Sequence, residues 1–228
     1  MLLALTSGAV WTGPARAATK RTTTTRKAGT VASAVHTFKA EVWADNWFAL
    51  YLGDTKIGED SVPITTERSF NAETFTFKGS YPLQLRAVSK DYVQDETGLE
   101  YIGTSRQQVG DGGFIAQITE LTTGKVVAAT DGTWKGYVVF AAPLNDCADS
   151  STPQQTCVHR ILPEPPNWKA PSFDDSTWVK ATVYTEDQVG VKDGYLTINW
   201  APSAKLIWTG DLKVDNTILW RKTVAAPR

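Results

Sequence analysis

From Phe38 onward the chain is written in short apolar or alternating runs separated by turn residues, and no window sustains the spacing of an amphipathic helix. Nine runs read as strands: 38–42, 47–52, 73–77, 82–88, 114–121, 126–130, 181–184, 206–208 and 216–222. Their lengths and spacing fit a two-sheet sandwich or jelly roll, with a short helical turn expected only within 171–178. No fixed-period repeat occurs, so neither a solenoid nor a propeller is indicated.

The most aromatic of these elements is the stretch WADNWFALYLGDTKIG at 43–58. Side chains alternate across a strand, so Phe48, Leu50 and Leu52 fall on one face of 47–52 and Ala49 and Tyr51 on the other. Gly53, Asp54 and Thr55 supply a hairpin turn. A second hairpin joins 114–121 to 126–130 through Thr122-Thr123-Gly124-Lys125.

The 228 residues suffice for one ample core, and nine Trp, seven Tyr and eight Phe against one Met give that core rigid rings. The formal net charge of -1 hides an asymmetry. Residues 1–38 hold Arg16, Lys20, Arg21, Arg26 and Lys27 and no acid, so the remainder sets 18 basic against 24 acidic side chains, a charge of -6. Such a domain is a poor match for a phosphate backbone.

Residues 1–17 form a short apolar run ending in Ala15-Arg16-Ala17, a small-x-small pattern that reads as a signal peptide, although its start lacks Lys or Arg. A disordered N-terminus is the alternative. The Thr-rich cationic stretch 18–35 reads as a disordered linker, 36–224 as the folded domain and 225–228 as a tail. No later run approaches the length of a membrane span.

Cys147 and Cys157, the only cysteines, lie in a Pro-rich, polar segment at 145–170. In a secreted chain they are expected to form a disulfide that pins a loop insertion without being needed by the core. Neither His36 nor His159 has zinc-site spacing to the pair.

Three further segments, 112–134 (GGFIAQITELTTGKVVAATDGTW), 173–178 (FDDSTW) and 206–223 (LIWTGDLKVDNTILWRKT), together with 47–58, resemble the galactose-binding-like jelly-roll domains that accompany secreted glycosidases such as bacterial α-L-rhamnosidases. Gly53-Asp54 stands where the family pattern has Asn-Gly. The resemblance implies a galactose-binding-like β-sandwich in which Asp174 and Asp175 shape a turn that docks Trp178. The family's large catalytic barrel has no counterpart among these residues. Because this fold hosts glycan binding, protein contacts and structural packing alike, it does not decide function.

Sugar recognition needs flat aromatic faces and planar polar groups that fork to paired hydroxyls. Two segments combine them: Trp43, Asp45, Asn46 and Trp47 near one end of the first hairpin, and Glu100, Tyr101, Arg106 and Gln107 on an expected loop. The structural alternative is that Trp43 and Trp47 are core rings and Asp45-Asn46 a turn. Jelly-roll binding modules often carry a structural calcium held by oxygen ligands, for which Asp91, Asp95, Glu96 and Asp111 are the acidic-loop candidates, against simple solvated acids. No other cofactor is indicated.

Enzyme signatures such as HExxH, GxSxG, a P-loop or a dinucleotide fingerprint are absent. The expectation is a secreted, extracellular, non-catalytic carbohydrate-binding module. A structural or protein-interaction module of an extracellular or surface assembly is the alternative. A small carbohydrate-active enzyme is a third class, since a carboxylate pair is defined in space and not in sequence.

Overall fold

A computed structural model describes residues 8–10, 13, 34–65 and 68–227. The chain separates into two units, Met1–Ala32 and Ser33–Arg228. Apart from residues 8–10 and 13, the expected signal peptide lies outside the described residues, as does the expected linker except for its last two positions.

Fifteen strands occur among the described residues: β1 (His36–Asp45), β2 (Trp47–Leu52), β3 (Thr55–Glu59), β4 (Ala72–Gly79), β5 (Leu83–Lys90), β6 (Leu99–Glu100), β7 (Gln108–Val109), β8 (Gly113–Glu120), β9 (Lys125–Ala129), β10 (Lys135–Ala141), β11 (Arg160–Ile161), β12 (Val179–Lys180), β13 (Thr182–Tyr184), β14 (Leu206–Trp208) and β15 (Asp215–Val224). Two single-turn helices, α1 (Pro153–Thr156) and α2 (Glu186–Val189), and a 3-10 segment at Asp193–Thr197 complete the set. One sheet runs β13-β14-β8-β1-β4 with β9 also on β8, and the other β11-β10-β15-β5-β2-β3 with β12 on β10. All pairings are antiparallel, and the two sheets pack as a sandwich, so the expected all-β class holds.

Period-two alternation builds the interior. Phe38, Ala40, Val42 and Ala44 of β1, with Phe114, Ala116 and Ile118 of β8, meet Phe48 and Leu50 of β2, Leu83, Leu85 and Ala87 of β5, and Ile218 and Trp220 of β15. Each large side chain so buried stabilises the fold by roughly 1.5–3 kcal/mol. Phe114 bridges the layers, lying 6.5 Å from Phe48 and 6.4 Å from Trp220 between ring centroids.

Both outer faces are also partly covered, which is why several strands are apolar on both sides. Trp43, Ile115 and Leu206 on the outside of the first sheet pack under Val189, Tyr195 and Ala204. Val88 and Leu219 on the outside of the second pack under Trp168 and Trp178. The second cover is pinned by Arg221, whose Nε donates to Asp175 Oδ2 at 2.9 Å and whose guanidinium also reaches the carbonyls of Trp168, Ala170 and Phe173. Asp174 accepts from the Ser176 amide at 2.9 Å, and Trp178 is buried beside Tyr137, so FDDSTW forms the docking turn expected of it.

Residues 171–178 are turns and irregular chain, not the short helical turn expected there. Two isolated i→i+3 turns stand there, the Phe173 amide on the Ala170 carbonyl at 3.2 Å and the Trp178 amide on the Asp175 carbonyl at 3.1 Å, while Arg221 also binds the Ala170 and Phe173 carbonyls. Cys147 and Cys157 form the disulfide, with a Cα–Cα distance of 5.4 Å. Among the described residues no helix is long and apolar enough to cross a membrane.

Candidate functional site

One end of the sandwich gathers the chain's polar chemistry. The ladder brings Asp45, at the end of β1, opposite Gly113, at the start of β8, while Trp47 of β2 and Thr217 of β15 both face Lys90, at the end of β5. The segment between β3 and β4 lies over the Asp45-Asn46 corner. Asn46 Nδ2 donates to the Ser69 carbonyl at 3.3 Å, its Oδ1 accepts from the Tyr92 amide at 2.6 Å, and its amide donates to the Lys90 carbonyl at 2.9 Å. Ser69 Oγ in turn donates to Asp60 Oδ1 at 3.2 Å. Asn46 is thus a knot that ties β1, β5 and the crossing segment together.

Behind the knot sits a group of buried acids. Asp45, Asp91 and Glu100 are each 3% exposed or less, and Asp111 is half-buried beside them. Asp91 accepts from Asn216 Nδ2 at 3.2 Å, and Gly110 packs so closely that a Cβ there would lie 2.2 Å from Asp91 Oδ2. Asp45 Oδ2, Asp91 Oδ1 and Asn216 Oδ1 have no hydrogen-bond partner among the described residues. Lys192 Nζ stands 3.6 Å from Asp45 Oδ2, an ion-pair distance.

Crowding of like charges out of water has the expected consequence. Burial pushes the Asp45 carboxyl up to about 8, the charges of Asp111 and Glu100 adding to the rise and Lys192 opposing it. Burial likewise holds Asp91 well above the ordinary carboxylate range, with Asp45, Glu100 and Asp111 contributing. Asp111 is raised, again chiefly by desolvation.

In front of the acids opens a cleft of about 540 Å³ lined by Arg68, Phe70, Tyr92, Gln94, Glu100, Tyr101, Ile102 and Thr104. Its floor is set by Glu100, whose Oε2 accepts from Arg68 Nη1 at 2.7 Å and from Gln108 Nε2 at 3.0 Å. Glu100 and Gln108 face each other across the two-residue ladder of β6 and β7, which explains how a loop residue becomes buried. Arg68 also donates to the Tyr101 hydroxyl, and the guanidiniums of Arg68 and Arg106 lie 4.7 and 4.3 Å from the Tyr101 ring centre. The cleft offers three rings, a guanidinium, a carboxylate and an amide within one concavity, a mixture suited to a polar ligand with apolar faces.

The sequence-predicted residues divide cleanly. Glu100 and Tyr101 line the cleft, and Arg106 stacks on its wall. Gln107 is spent elsewhere: its Nε2 donates to the Ala148 and Ser150 carbonyls at 2.6 and 2.8 Å, and its Oε1 accepts from the Gly103 amide at 2.9 Å. Trp43 is a core ring, fully buried and donating to the Phe70 carbonyl at 3.0 Å, because β1 runs on through Asp45. Trp47 packs on the outer cover of the second sheet with Lys90 Nζ 5.2 Å from its ring centre. Neither tryptophan offers a face to the cleft. Asp45 and Asn46 lie behind it as structural groups.

The acids considered for calcium do not form a site. Asp95 accepts from the Thr97 amide and from Gln154 Nε2, both at 2.9 Å, while Glu96 is exposed and faces His159 Nε2 at 3.4 Å. Asp111 belongs to the buried group instead. Among the described residues no three His, Cys, Asp or Glu side chains converge as metal ligands.

Arg68, Phe70, Tyr92 and Gln94 line the cleft without having been singled out in the sequence. Tyr92 and Gln94 carry the same signature of ring and amide next to acids that marks 100–107, so DYVQD at 91–95 was readable. Arg68 has no such signal; its place depends on where the crossing segment lands. No family model matches the chain, and no curated protein or solved structure is significantly similar to it.

Proposed function

We propose that this chain is a secreted, non-catalytic carbohydrate-binding module whose sugar sits in the Arg68–Glu100–Tyr101 cleft. The observation that carries the reading is the cleft's composition. Rings can stack on the C–H faces of a pyranose while its hydroxyls meet Arg68, Gln94 and Glu100, whose own bonds to Tyr101, to the Ile102 amide and to Arg68 and Gln108 hold them in place beside the cleft. The disulfide accords with an oxidising compartment.

A specific observation favours a second reading, a structural or protein-interaction module. Leu144, Val158 and Ile161 are 44%, 53% and 54% exposed on the Cys-pinned insertion, and the Leu144 amide pairs with the Val158 carbonyl, so two of them lie on adjoining chain segments. A glycan array followed by calorimetry on residues 36–228 separates the two. Sugar binding that falls at least tenfold in Tyr101→Ala is the expected result. Failure to bind any neutral or acidic oligosaccharide at millimolar concentration, alongside a protein partner recovered from culture medium at high salt, would overturn it.

A further inference from the structure

We infer that the disulfide-closed loop Cys147–Cys157 is a strap that positions the wall of the cleft, with Gln107 as the positioning residue through which it acts. The inference rests on the cleft being the ligand site, though the wall's dependence on the strap is a separate physical matter.

The wall, residues 92–107, has little to hold it by itself. Among the described residues its one sheet contact is the ladder of β6 and β7, two residues on each side, and a pairing that short is marginal in water. Its other backbone–backbone bonds are local, Gln94 to Leu99, Thr104 to Tyr101 and Gln107 to Thr104, and only its first residue is tied to the sandwich through a backbone amide, Tyr92 on Asn46 Oδ1, among the described residues. Tyr101, whose ring faces the cleft, has φ +53°, in the left-handed region that is unfavourable for a residue bearing a side chain. Such a conformation persists only when its surroundings over-determine it.

The surroundings come from two sides. On the cleft side Arg68 holds Glu100 and Tyr101. On the far side the contacts go to the insertion. Gln107 uses both amide hydrogens on carbonyls inside the disulfide loop, Ala148 and Ser150, and its oxygen on Gly103 in the wall. Gln154, also inside the loop, donates to Asp95. Gly98 packs on the chain just past β10, outside the disulfide loop, where a Cβ would lie 2.2 Å from the Ala142 carbonyl oxygen, so the wall's 97–100 end is anchored on the sandwich and the strap acts on the 101–107 end. Without the cross-link the carbonyls of 148 and 150 would belong to an open segment, and ordering that segment would cost entropy that the disulfide has already removed. Closing the loop therefore makes Gln107's two acceptors available at low cost, and Gln107 transmits their fixed position to Gly103, inside the turn that the Thr104 amide closes on the Tyr101 carbonyl.

The test uses the full chain and reads the wall directly. Hydrogen exchange is measured on the wild type, on Gln107→Glu, which keeps an acceptor for Gly103 but loses both donors to the strap, and on the double variant Cys147→Ser, Cys157→Ser. The expected result is exchange at 101–107 at least tenfold faster in both variants, with β5 and β15 amides unchanged. Wild-type protection at 101–107 in either variant overturns the inference, as does an equal loss of protection in β5 and β15, which would mark general unfolding. The same proteins are then titrated with whichever oligosaccharide the wild type binds, where both variants should lose at least tenfold in affinity. If the wild type binds none, the glycan reading fails while the exchange data still decide the strap.

Discussion

Asp45 shows how far a residue's role depends on where the fold puts it. Its position beside Asn46 at a strand end reads as a binding corner, yet β1 continues through it and buries it with Asp91, Asp111 and Glu100. Sequence can mark the acid but not the desolvation, which arises from strands far apart in the chain. The consequence is a definite pH dependence. With a folded value of about 8 against 3.8 in a free chain, Asp45 keeps a proton through that window which the unfolded state has released. Its contribution to stability is therefore full below 3.8 and is lost as pH rises to about 8. The slope is at most about 1.4 kcal/mol per pH unit. Asp45→Asn removes the slope, so urea titrations should show the variant gaining on the wild type between pH 5 and pH 8. A variant that loses ground over that interval contradicts the assignment.

Most strands were legible because period-two patterning survives wherever one face is buried. Residues 47–52 and 206–208 match their predicted limits, β1, β4 and β15 extend theirs by five, three and three residues, β5, β8 and β9 are displaced by one or two, and β13 begins one residue later than expected. The strand β10, KGYVVFA, was passed over because its rings and valines do not alternate, and the fold explains this: Tyr137 and Val139 pack under the outer cover while Val138 packs on the core. The cover itself has no periodicity, being held by Arg221 rather than by a ladder. Asp175→Ala should leave that guanidinium with carbonyl acceptors alone and cost about 2 kcal/mol, seen as a lower denaturant midpoint with the fold retained. An unchanged midpoint would mean that the cover does not depend on the pair. The disulfide differs in kind, since its loop lies outside both sheets. The double Cys→Ser variant should melt cooperatively at a modestly lower temperature, and complete unfolding at room temperature would show that the core needs the bond.

At the scale of the molecule, a two-sheet sandwich delivers the ends of β1 and β5 and the starts of β2, β8 and β15 to one end, so residues from 45 to 216 meet there. That convergence is what a single sequence hides. The loop 100–107 could be flagged by its composition, and three of its four flagged residues do stand at the cleft, but Arg68 and Asn216 join the site only through topology. Trp43 and Trp47, the two tryptophans read as candidate stacking faces, are taken by packing instead, Trp43 in the cluster outside the first sheet and Trp47 against the outer cover of the second. The central claim is that sugar occupies the cleft, and the most direct measurement is amide chemical-shift mapping of the labelled domain during titration with the best oligosaccharide from an array. Perturbations confined to 68–70, 92–94 and 100–106 are the predicted result; a saturable ligand whose shifts fall instead on 144–161, leaving the cleft amides unmoved, would contradict it.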